Sequence, residues 1–417
     1  MTITTVNLTV NGDRLNRNIA ELAAIGQLPN GASSRVAFTP EDVQGRKQVQ
    51  QWMEEAGMTT RVDAAGNLIG RYPGQNSDVP ALATGSHIDT VPVAGHFDGC
   101  LGVLAGIEVV RTLKEHHICL QHPLEVIVFT DEESSVIGSK AMAGEANPNS
   151  EAYRRGDGTT IEDCLGKIGG DWSKLATAQR DRTEIIAFVE LHVEQGGVLE
   201  SKNAQIGVVQ GIVGQYRFLV KIAGRANHAG TTPMGDRKDA LVAAAEVILA
   251  VNRIGLQPPG SQVATVGYLK ASPNASNTVA DKVELTIDLR DLSQSHLEAL
   301  IEQMRREFDA IAPKTNTEIA ISQTLHILPT LATPAIEDAI EQIAQQLHLT
   351  SYRLPSRAGH DAQEIGRFAD MGMIFVPSRN GISHSGDEYT SPEECTQGTN
   401  VLLQTFLMLD RLYSVIS

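Results

Sequence analysis

Four short, nearly continuous apolar runs, each ending in a dense polar cluster, constrain this chain most. Residues 81–84 (ALAT), 124–130 (LEVIVFT), 185–191 (IIAFVEL) and 373–376 (MIFV) are of strand length and leave no polar face. Runs of that kind predict strands covered on both sides, the pattern of a parallel sheet. Between them the apolar residues change period. Residues 13–26 and 40–57 carry helical spacing, the second opened by the start signal Thr39-Pro40-Glu41-Asp42, and 99–114 (GCLGVLAGIEVVRTLK) reads as a buried helix. The expected class is α/β, a mostly parallel sheet with helices on both faces.

From about residue 211 the pattern shifts. Residues 216–223 alternate, 238–254 form an amphipathic helix, 263–269 and 283–290 are strand-like, 294–311 are helical and 317–322 give a last strand. The order β-α-β-β-α-β is the ferredoxin-like α+β motif. Helix and strand alternate again beyond Pro334, at 336–348 and 373–376. The expectation is a discontinuous α/β domain, residues 1–210 and 330–417, interrupted by a smaller α+β domain at 211–329. A chain of 417 residues is long enough for both cores.

Composition narrows the partners. Fifty acids against 34 bases leave a formal charge of −16 with no basic stripe, which argues against nucleic acid or an anionic membrane. Cys100, Cys119, Cys164 and Cys395 form no C-x-x-C pair, so neither a disulfide framework nor a thiolate zinc module is expected, and a reducing cytoplasm fits. The N-terminus lacks a cationic region followed by an apolar core, and no stretch approaches the roughly 20 apolar residues of a membrane helix. A soluble, cytoplasmic protein is expected.

In open parallel sheets, ligands bind beyond the carboxyl ends of the strands. Run 81–84 leads into Gly85-Ser86-His87-Ile88-Asp89, run 124–130 into Asp131-Glu132-Glu133, run 185–191 into His192-Val193-Glu194-Gln195, and run 373–376 towards Ser383-His384-Ser385. Helix 99–114 is preceded by Gly95-His96-Phe97-Asp98-Gly99. Three histidines and several carboxylates therefore gather at one sheet edge. Imidazole with carboxylate is the ligand set of Zn²⁺, Mn²⁺, Co²⁺ or Ni²⁺. Two such ions need a shared anion, which Asp98 could supply. Asp89, two residues past His87, could hold the second nitrogen of that ring. His96, His116, His117, His122, His296, His326 and His348 lack such a context. No G-x-S-x-G elbow, G-x-G-x-x-G or Walker A sequence supports a serine hydrolase or a nucleotide site.

GSHIDTV, GHFDGCLGV, the DEE after an apolar strand, LHVEQG, NHAGTTPM, PNASNTV, DLRD, AGHDAQ and PSRNGISHS together resemble the M20 metallopeptidase clan. More closely they resemble its hydantoinase/carbamoylase amidase branch, which holds N-carbamoyl-L-amino acid hydrolases and allantoate amidohydrolases. The resemblance implies two divalent ions per subunit bridged by Asp98, with His87 and His192 completing one site and Glu133 and His384 the other. Glu132 would be the general base, moving a proton from metal-bound water to the leaving nitrogen, with Asp89 in support. His228 and Asn277 would stabilise the oxyanion, His228 reaching across from a partner subunit. Arg290 would grip the substrate carboxylate, and Gln195, Gly359 and His360 would line the pocket. The inserted domain would be a lid and dimerisation domain.

One segment departs from the pattern. Many family members follow the paired glutamates with Gly-x-Arg-Phe, where this chain has Ser134-Ser135-Val136-Ile137-Gly138-Ser139-Lys140. The expected function is hydrolysis of a linear ureido C–N bond in a small carboxylate substrate by a homodimer. An M20 aminoacylase or dipeptidase is the alternative enzyme, and a non-catalytic metal-containing binding protein the alternative of another class.

Overall fold

The four apolar runs lie side by side in the middle of one nine-stranded sheet. In space the order is Leu124–Phe129, Ala81–His87, Ile185–Val193, Asp370–Val376, and the three neighbouring pairs are all parallel. Every residue of the first two strands is buried. Antiparallel strands extend both sides: Leu68–Tyr72 and Thr59–Val62 beyond the first, Ile206–Ile212 beyond the last. The computed structural model describes residues 8–259 and 261–414.

Helix Cys100–Glu115 packs on strand Ala81–His87 and meets helices Gly12–Ala23, Pro40–Ala56 and Pro392–Ser414. Its approach is close because Gly102 has no side chain; a Cβ there would lie 2.4 Å from the Leu191 carbonyl oxygen. The core between these elements includes Leu15, Val49, Leu104, Val126, Val189 and Phe406. Arg35 is fully enclosed beside it. Its guanidinium donates to the carbonyls of Leu22, Ile25 and Ile88, tying the end of helix Gly12–Ala23 to the segment after His87.

The chain separates into two compact units. One runs to Gly211 and resumes at Leu331; the other is Ile212–Thr330. Where the first unit is interrupted its ends are neighbours, the Ala332 N–H donating to the Gln210 carbonyl at 3.1 Å. The second unit has four antiparallel strands ordered Glu318–Ile327, Gly214–Ala223, Lys282–Asp291, Val263–Ser272. Alternation along Gly214–Ala223 buries Tyr216, Phe218, Val220 and Ile222 in one core with helices Ala240–Gly255 and Gln294–Thr315. Asp239 and Ser293 cap those helices by accepting backbone N–H groups of their first turns. Among the described residues, no helix is long and apolar enough to cross a membrane.

Candidate metal centre

The strands carry the site further along their length than the apolar runs suggest. His87 ends strand Ala81–His87, and His192 lies inside Ile185–Val193 rather than beyond it. Glu132 and Glu133 follow strand Leu124–Phe129, Asp98 precedes helix Cys100–Glu115, and His384 lies in the loop after strand Asp370–Val376. Three non-glycine residues here, Asp131, Gln195 and His384, take positive φ of 52 to 58°. Such conformations persist where the surrounding structure enforces them, and they cluster at functional sites.

Asp98 stands between two groups of ligand atoms. Its Oδ1 is 3.5 Å from His87 Nε2 and 3.2 Å from His192 Nε2. Its Oδ2 is 3.5 Å from His384 Nε2, which is 3.3 Å from Glu133 Oε2. The potential ligand atoms of His87, Asp98 and His192 all fall within 4.8 Å of one another, and so do those of Asp98, Glu133 and His384. A tetrahedral ion with bonds of about 2.1 Å separates its ligand atoms by about 3.4 Å. The spacing and the donor types therefore fit two divalent ions sharing one carboxylate.

Electrostatics point the same way. Burial alone would raise Asp98, but hydrogen bonds with His192 and His87 hold its carboxyl well below the usual range. His87 is raised well above an ordinary histidine: burial opposes the proton, and Glu132, Asp98 and Asp89 more than offset it. Glu132, whose Oε2 lies 3.6 Å from His87 Nε2, belongs to neither triad, and burial pushes it well up. The pocket thus holds more negative charge than its own protons neutralise comfortably, a condition a bound cation relieves. Gly99 makes room for this arrangement at φ +65°, since a Cβ there would sit 2.5 Å from the His87 ring.

Asp89 supports His87 differently from the expectation. The His87 Nδ1 is 2.9 Å from the Asp89 backbone carbonyl, whereas the Asp89 carboxylate stands 4.0 Å away. That carboxylate instead accepts the N–H groups of Glu132 and Glu133, at 3.4 and 3.3 Å. The chain leaves the strand after His87, so Asp89 does not repeat its direction, and its side chain steadies the glutamate turn.

Gln195 donates through Nε2 to Asp98 Oδ2 at 2.7 Å, while its Oε1 is buried without a partner. His360 is enclosed behind His192, their ring centroids 4.5 Å apart, with Nε2 2.8 Å from Ser356 Oγ. Gly359 is exposed in the loop before it. Ser134 to Val136 form a tight turn in which the Ser135 and Val136 N–H groups donate to the Asp131 carbonyl. His228, Asn277 and Arg290 belong to the second unit. His228 is exposed, and its Nδ1 accepts from the Gly230 and Thr231 N–H groups, which leaves the ring proton on Nε2. The Asn277 carbonyl accepts from Ala229, and Arg290 pairs with Asp288 at 2.8 Å.

Sequence reasoning missed a layer of buried carboxylates around the centre: Glu190, Asp361 and Glu388. Glu190 lies within ligand range of His192 and His360, but both its oxygens accept hydrogen bonds, from Ser86 Oγ and the Ala362 N–H. It reads as support for the histidines. Its signal was available: a carboxylate inside the apolar strand IIAFVELHV must be buried and partnered.

Such a fold and site define a hydrolase of the metal-dependent kind. Residues 83–408 match the model of peptidase family M20/M25/M40, and the chain belongs to that family. It is 38% identical over 405 residues to an N-carbamoyl-L-amino acid amidohydrolase of Geobacillus stearothermophilus, covering 96% of this chain and 99% of that one. It is 34% identical over 387 residues to an allantoate amidohydrolase of Bacillus subtilis, covering 91% and 93%. The crystal structure of a hydantoinase/carbamoylase family amidase from Burkholderia multivorans is similar with a TM-score of 0.90 at 36% identity, covering 97% of this chain and 98% of that one.

Proposed function

We propose that this enzyme hydrolyses the linear ureido C–N bond of an N-carbamoyl-L-amino acid or of allantoate, releasing ammonia and carbon dioxide. The observation that carries the reading is the pair of ligand triads sharing Asp98, with the non-ligating carboxylate of Glu132 beside them. Relatives named for both substrates support the substrate class. His87, Asp98 and His192 would hold one divalent ion and Asp98, Glu133 and His384 the other, each Zn²⁺, Mn²⁺, Co²⁺ or Ni²⁺. When bound, the ions polarise the ureido carbonyl and make water acidic enough to lose a proton near neutral pH.

The chain's own residues do the rest. Glu132 takes the proton of the attacking water on its carboxylate and passes it to the leaving nitrogen. His228 Nε2–H and the Asn277 amide stabilise the oxyanion, and the planar fork of Arg290 holds the substrate carboxylate. Gln195, Gly359 and His360 border the substrate. We assign the working form as a cytoplasmic homodimer in which His228 serves the partner's centre. The open-edged strand Val263–Ser272, with exposed Tyr268 and Leu269, and exposed Leu241, Val242 and Leu249 on helix Ala240–Gly255 support an interface on the second unit.

A panel of allantoate, ureidoglycolate, β-ureidopropionate, several N-carbamoyl amino acids and matching N-acetyl amino acids tests the proposal after reconstitution with each metal. Ammonia release from a ureido compound is expected. Turnover of the acetyl compounds alone would overturn it.

A further inference from the structure

The mechanism leaves Glu388 without a task, although it is 5% exposed and lies against the centre. Burying a carboxylate is costly unless several donors meet it. Here Oε1 accepts two backbone N–H groups, those of Phe97 at 3.0 Å and Asp98 at 3.1 Å, and Oε2 accepts the Ser383 hydroxyl at 3.0 Å. Ser383 Oγ is also 2.9 Å from Asp98 Oδ2, and Ser383 directly precedes His384. One side chain therefore clasps the main chain of the shared aspartate and the loop bearing a ligand of the second triad. The fit is tight: a Cβ on Gly95 would come within 2.6 Å of Glu388 Oε1. The Phe97 ring also meets the Tyr389 ring edge-on, with centroids 5.9 Å apart.

We propose that Glu388 is a positioning residue that fixes the Asp98 carboxylate between the two triads and so couples the two ion sites. The inference rests on the metal reading above. Asp98 can serve two ions only if its carboxylate plane is held, because Oδ1 faces one triad and Oδ2 the other, and rotation about its side-chain bonds would displace both at once. The Phe97 and Asp98 N–H groups anchored on Oε1 fix the backbone from which that side chain springs. The Ser383 hydroxyl, within reach of both Glu388 Oε2 and Asp98 Oδ2, shares its one proton between the two carboxylates and links them at the start of the His384 turn.

The test is titration of metal-free protein with Co²⁺, read by calorimetry and by the visible absorption of the bound ion. Wild type is expected to bind two equivalents. Glu388→Ala is expected to bind both about 10- to 100-fold more weakly, the usual effect of losing such a supporting partner, with an altered absorption spectrum. Glu388→Gln, whose amide oxygen can still take the Phe97 and Asp98 N–H groups, should restore most of the affinity. Asp410→Asn removes another buried carboxylate that accepts backbone N–H groups, those of Gln121 and His122. It should lower stability while leaving both affinities unchanged. A folded Glu388→Ala with wild-type affinities and spectrum would overturn the proposal. Failure of wild type to bind Co²⁺ would instead overturn the metal reading. If Glu388→Ala does not fold, Ser383→Ala decides: about 10-fold weaker binding of one ion is expected, and two unchanged affinities would overturn the coupling.

Discussion

Glu132 differs from its neighbour Glu133 in what its carboxylate faces. Glu133 lies within 3.3 Å of His384, inside a triad, whereas Glu132 meets only the flank of His87. That difference underlies the separate tasks proposed for two adjacent glutamates on one turn. Glu132→Gln keeps the shape and removes the proton acceptor, so ureido hydrolysis should fall by at least about 100-fold, the usual contribution of a positioned base. Metal content, measured by elemental analysis, should stay at the wild-type value; full activity in this variant would refute the assigned role. At this scale the clustering of the proposed ligands was legible because His, Asp and Glu recur at equivalent strand ends. Their supports were not. Glu388 lies in the polar run SHSGDEYT, where nothing local distinguishes a buried carboxylate from a solvated one. The role of the Asp89 carbonyl depends on how the chain bends after His87, which no residue type encodes.

Elements built on strong periodicity were readable, and those at the sheet's margins were not. The central strands announce themselves because both faces are buried. Thr59–Val62 has no buried residue and so carries no apolar signal. The glycine-broken Ile206–Ile212 reads as neither strand nor helix until its partner Asp370–Val376 is known. Arg35 shows the same limit: alone it looks like a surface cation, but it is 1% exposed and holds three carbonyls from two segments. Arg35→Met should destabilise the first unit by roughly 3 kcal/mol, because the Ile25 and Ile88 carbonyls lose their guanidinium donor, at about 1–3 kcal/mol each, while that of Leu22 keeps the Ile25 N–H. Denaturant melts followed by circular dichroism measure this. A loss under about 1 kcal/mol would mean that water replaces the guanidinium.

For the whole molecule, the proposed ion ligands all lie in the first unit, and Ile212–Thr330 has a core of its own. Chelation should therefore act on one unit. Saturating ion at about 100 times its dissociation constant stabilises by about 2.7 kcal/mol. Calorimetry with and without chelator should show one transition moving down by several degrees and the other staying in place; an equal shift of both would mean the units melt together. The formal charge of −16, which first excluded polyanionic partners, is in part the charge of the centre itself.

The position of strand Asp370–Val376 carries a last consequence. It lies between Ile185–Val193 and Ile206–Ile212, two strands synthesised well before it. The whole of Ile212–Thr330, which has a core of its own, is also made before it. His384 and Glu388 emerge after that. Of the proposed ion ligands only His384 lies beyond that strand, so a chain cut before it would keep His87, Asp98 and His192 and lose one member of the second triad.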